Sequence, residues 1–142
     1  MHRFAEALRS TSRSASQNSQ ARRFLTLTGA RLILASGVIH LVLAPEHLEE
    51  AAYLGLLFLA DFAGAVVAAF GIYRGQRWGW TLGALVAAGA LVAYVISGTV
   101  GLPGMEPEGL FDSVGVVTKL VEALFLGLFV LSLARRDLPE RP

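Results

Sequence analysis

WGWTLGALVAAGALVAYVISGTV, residues 78–100, runs for 23 residues without one charged side chain. A helix rising 1.5 Å per residue needs about 20 apolar residues to cross roughly 30 Å of hydrocarbon. In lipid a spanning backbone must satisfy its own polar groups, and a helix does so within the segment. A transmembrane strand would alternate polar and apolar residues, and this stretch does not. Three similar runs flank it. Upstream lie Ala51–Tyr73, interrupted by Asp61, and Phe24–Ala44, interrupted by Arg31 and His40. Downstream lies Val114–Ala134, interrupted by Lys119 and Glu122. The composition agrees. Of 142 residues, 54% are hydrophobic and only 16% charged, where a soluble domain carries about 25% charged residues. The chain has no cysteine, which excludes disulfides, thiolate metal sites and a cysteine nucleophile. The expected fold is all-α: a polytopic membrane protein with an up-down bundle of four transmembrane helices.

The flanking charges predict the topology. Arg3, Arg9, Arg13, Arg22 and Arg23 precede the first run, Arg74 and Arg77 separate the second from the third, and Arg135, Arg136 and Arg141 follow the fourth. The two other loops hold Glu46, Glu49 and Glu50, then Glu106, Glu108 and Asp112, with no Lys or Arg. The positive-inside rule puts both termini in the cytoplasm and both acidic loops outside, as in a bacterial inner (plasma) membrane. Trp78 and Trp80 stand where an aromatic belt would lie. Residues 1–23, rich in Ser and Arg, read as a disordered cytoplasmic tail with room for a short surface helix, and 137–142 as a second tail around a transmembrane domain at 24–136. The tail shares the composition of an organellar transit peptide, but the long apolar run after it lacks the cleavage site of a secretory signal. Its arginines suit anionic lipid, and offer nucleic acid nothing specific. Small residues are expected to seat the helices: Gly64 with Ala68, Gly83 with Ala87, Ala84 with Ala88, and Gly89 beside them. No internal repeat is evident, which counts against an inverted-repeat transporter in one chain.

Arg31, His40, Asp61, Lys119 and Glu122 are costly in lipid and mark a site or a buried pair. Counted from the ends of the apolar runs, His40 and Lys119 fall roughly 6–8 Å below the outer surface, Glu122 about 12 Å and Asp61 about 15 Å, and Pro45 is expected to kink or end the first helix nearby. Arg31 falls about 10 Å from the inner surface and on the opposite face from His40. The spacing predicts an outer ligand-binding cluster of His40, Lys119 and Glu122 with Asp112 on the same wall, and a separate buried pair, Arg31–Asp61. Interhelical ion pairs, a polar cavity open outward and snorkelling without a partner are the three readings of these charges. His40, His47 and Glu50 form a candidate metal set whose ligand types suit zinc, copper or iron. Their spacing also suits a plain polar helix end with Glu46, Glu49 and Glu50 in water. Integral haem is disfavoured for a monomer, because both membrane-proximal histidines lie on one stretch.

The loop from Ser97 to Asp112, dense in Gly and Pro, reads as an ordered turn or re-entrant path. Asp112 is placed to cap the fourth helix. With it the chain resembles an uncharacterised family of small bacterial four-helix membrane proteins, over about residues 28–134. The matching positions are His40, Pro45, Glu46, His47 and Glu50, then Thr99, Gly101, Leu102 and Pro103, then Asp112, Lys119 and Glu122. Many relatives carry an Arg where this chain has Gly98. The resemblance implies a shared outer-face site and brings no activity with it. A looser similarity to DoxX-like membrane proteins covers size and helix count. Three functions are open: a non-enzymatic accessory or small-ligand or metal-binding protein, alone or within a homo-oligomer or larger complex; a proton-coupled carrier acting as an oligomer; and a membrane enzyme using His40 or His47 as a base with Glu122. Small multidrug carriers place their essential Glu in the first helix, where this chain has Arg31 and His40. No serine-nucleophile, phosphate-loop or Rossmann pattern is present.

Overall fold

A computed structural model describes residues 2–107, 109 and 113–135, with the backbone alone for 2–15. The described residues form four helices: α1 (His2–Glu50), α2 (Ala52–Tyr73), α3 (Arg77–Thr99) and α4 (Ser113–Ala134). All four contain a stretch long and apolar enough to cross a membrane. α1 packs on α2 and α4, and α3 packs on the same two, so α2 and α4 stand across one diagonal of an up-down bundle. Many large apolar side chains face outward, Leu56, Phe70, Leu85, Val92, Leu124 and Val130 among them. Such a surface suits lipid and would be a liability in water. The chain is a multi-pass membrane protein.

α1 departs from the sequence reading at both ends. It does not stop at Pro45, which lies inside the helix. Proline forfeits its own hydrogen bond to Leu41, but ending the helix within an apolar layer would strand further backbone groups. The helix therefore runs to Glu50, and α1 joins α2 through the single extended residue Ala51. At the other end, residues 2–23 continue α1 instead of forming an irregular tail. They contain neither Gly nor Pro, and their five Arg and four Ala favour helix against five Ser. α1 has 49 residues against 22 for α2, so about 40 Å of it runs beyond the far end of the bundle. The tail at 137–142 lies outside the described residues.

With little hydrophobic drive between helices in lipid, close contact rests on small residues and shape. A Cβ at Gly37 would meet the Ala65 Cβ at 2.6 Å, and one at Gly83 would meet the Phe125 ring at 2.6 Å. Ala68 and Ala87 are buried beside them. Ala88 is exposed, and Gly89 has open space around it, so these two expected packing positions face outward. Trp80 is no belt residue. It is buried, stacked on Phe125 at 5.8 Å, beneath Gly29. Trp78 remains half-exposed. At the α2–α3 turn Gly75 takes φ +72°. Gly75 N–H donates to Ile72 and Gln76 N–H to Gly71, closing α2 with a left-handed cap.

Candidate functional site

Ala51 stands eleven residues after His40 and ten before Asp61. Because α1 continues to Glu50, both side chains lie at the same level, about 15 Å below the turn. Glu122 stands nine residues into α4 from the same end, at nearly that depth. The three meet. His40 Nδ1 lies 3.2 Å from Asp61 Oδ2, and Nε2 lies 3.8 Å from Glu122 Oε1. Lys119 Nζ donates to Glu122 Oε2 at 2.7 Å, from one turn away on α4. Ser36, one turn from His40 on α1, donates its hydroxyl to Glu122 Oε1 at 3.1 Å. α3 contributes the Tyr94 ring, 5.4 Å from Lys119 Nζ, within cation–π range. His40 thus bridges the diagonal between α2 and α4.

The hydrogen positions follow from the acceptors. His40 Nδ1 lies 2.9 Å from the Ser36 carbonyl oxygen, which can only accept, so Nδ1 carries a hydrogen and donates it there. Asp61 Oδ2, close but off that line, has no hydrogen-bond donor among the described residues. With Nδ1 protonated, Nε2 is the atom that gains or loses a proton, and it faces a carboxylate oxygen. The cluster holds two carboxylates, one ammonium and one imidazole. Without a further proton it carries one net negative charge, and with one it is neutral. The charge matters here because Glu122 is fully buried and His40 nearly so, where charge is expensive and mutual effects are strong.

Arg31 does not pair with Asp61. It lies on the exposed face of α1, about 180° around the helix from His40, and among the described residues no ion pair joins it to Asp61, which faces His40 instead. The depths that separated Asp61 from His40 were counted from the end of the first apolar run at Ala44, whereas α1 runs on to Glu50. The candidate metal set is not assembled either. His47 stacks on Phe58 at 4.0 Å between ring centroids, Phe58 lies 5.1 Å from His40, and Glu50 is exposed. Among the described residues no group of three or more His, Asp or Glu could hold a metal ion. Asp61 and Glu122 address opposite edges of one imidazole and so do not converge. Asp112 lies outside the described residues. Ser36 and Phe58 were not singled out from sequence. Both had a signal: Ser36 is four residues before His40 and Phe58 three before Asp61, each on the same helix face.

Ser36 gives its hydrogen to Glu122, so the imidazole does not activate it as a nucleophile. What the arrangement can do is bind and release a proton, or accept a donor at Asp61. Comparison with protein-family models, curated proteins and solved structures finds no match to this chain.

Proposed function

We propose that this is a non-enzymatic protein of a bacterial inner membrane, with both termini cytoplasmic, whose working part is the His40–Asp61–Lys119–Glu122 cluster. The cluster takes up a small cationic or neutral polar ligand from the outer side, and a proton competes with it. One observation carries the reading: a buried imidazole lies between two carboxylates, one of them with an oxygen lacking a donor, while a single ammonium offsets them. A cationic ligand supplies the missing charge and the missing donor together. The orientation rests on the arginines at one end, Arg22, Arg23, Arg74, Arg77 and Arg135, against Glu46, Glu49, Glu50 and Glu106 at the other. An acidic mouth favours cations over anions.

Methylammonium added to the purified protein in weak buffer tests it. At a pH where the free cluster holds its extra proton, the expected result is saturable release of about one proton per chain, following the charge count above, and loss of that release in Asp61→Asn. No release from the wild type at any pH or concentration would overturn the reading. A second reading, a proton-coupled carrier acting as an oligomer, is favoured by the same bridge, since His40 lies against carboxylates of two different helices. It requires uptake of methylammonium into proteoliposomes driven by a pH gradient.

A further inference from the structure

The two membrane-proximal histidines share one arrangement. His47 Nδ1 lies 2.9 Å from the Leu43 carbonyl oxygen, four residues back, as His40 Nδ1 lies 2.9 Å from that of Ser36. A carbonyl only accepts, so in both rings Nδ1–H is committed and Nε2 is the one exchangeable position. The two residues are seven apart on one face of α1, so their backbones stand two turns, about 10 Å, apart along the axis. His47 is partly exposed near the acidic mouth, with Glu46 and Glu50 on its own helix, and His40 is buried with Asp61, Glu122 and Lys119.

Between the two imidazoles stands Phe58, from α2. Its ring lies 4.0 Å from His47, nearly parallel at 24°, and 5.1 Å from His40, tilted at 56°. A stack that close leaves no room for water, and a phenyl ring neither donates nor accepts a proton. Phe58 is partly exposed at the side of the bundle, so its ring has somewhere to swing.

We propose that Phe58 gates proton passage between His47 at the rim and His40 in the core. With the ring in place the path is broken. When it swings aside, water enters the gap. A proton then leaves Nε2–H of His47 as hydronium, breaking that N–H bond, and forms an N–H bond at Nε2 of His40, with no net change in water. Release runs in reverse. The proposal rests on the reading of the cluster as a proton-binding site.

The test uses the full-length protein in lipid nanodiscs with its histidines isotopically labelled. Magnetic resonance reads two things at His40: its protonation at equilibrium against pH, and its rate of equilibration after a pH jump. The expected order of rates is wild type, then Phe58→Leu, then Phe58→Ala, with the last at least tenfold faster than the first. The equilibrium curve and the hydrogen-exchange protection of residues 33–44 should stay unchanged. Equal rates in all three proteins would overturn the gate while leaving the proton site standing. Faster rates accompanied by lost protection along α1 would also overturn it, because the bundle and not the ring would then have opened. A His40 that never changes protonation in the wild type would remove the site and the gate together.

Discussion

Glu122 has no exposed surface, yet both its oxygens are engaged, Oε1 by Ser36 and Oε2 by Lys119. Removing one member of such a buried pair strands the other, and typically costs about 3–5 kcal/mol. Glu122→Gln alone should therefore lower stability in detergent more than Glu122→Gln combined with Lys119→Met. Additive losses in that double-mutant cycle would mean that the two side chains do not act on each other. Ser36→Ala removes one hydrogen bond to a charged group and should cost about 1.5–3 kcal/mol. Arg31→Gln should change stability by less than about 0.5 kcal/mol, as surface substitutions do, because Arg31 points away from the cluster. A large loss there would restore the Arg31–Asp61 pair. The residue types of the site were legible in the sequence, since ionisable side chains stand out in apolar runs. Their pairing was only half legible. Lys119 and Glu122 share a helix and needed only its period, whereas His40 and Asp61 needed the level of the turn between two helices, and the end of the apolar run at Ala44 misplaced it.

At the scale of the element, the α1–α2 hairpin sets the site. Gly37 and Ala65 touch one turn from His40 and Asp61, so their spacing decides whether imidazole and carboxylate meet. A methyl group at Gly37 has nowhere to go, whereas Gly127 on α4 has open space around it. Gly37→Ala should then cost about 1–3 kcal/mol as overpacking. Gly127→Ala should be neutral or stabilise by about 0.5–1 kcal/mol through helix propensity alone. Thermal melts of the two variants in one detergent check this, and equal effects would count against the close approach. Deleting residues 1–20 should leave membrane yield and melting temperature nearly unchanged, because the bundle ends short of them; a large loss of folded protein would reveal a packed role. The four helices were legible because each carries some 20 apolar residues, a length that lipid imposes. The inward place of Trp80 was not, because an aromatic near a span end suits either a belt or a core, and only Gly29 and Phe125 across the bundle decide between them.

For the molecule as a whole, orientation is the first thing to measure. Reporters at residues 48 and 107 should read external and one at residue 75 internal, following the arginine distribution; the reverse pattern would turn the site to the cytoplasm. Depth has a consequence of its own. The His40–Asp61 contact lies about 15 Å from one end of a bundle crossing roughly 30 Å of hydrocarbon. A proton reaching it from either side therefore traverses about half of any transmembrane voltage, worth roughly 1.1 kcal/mol per 100 mV. Proton occupancy of the cluster would then shift about sevenfold for each 100 mV at constant pH. A cell that energises its membrane would set the charge of this site electrically, with no change in the acidity on either side.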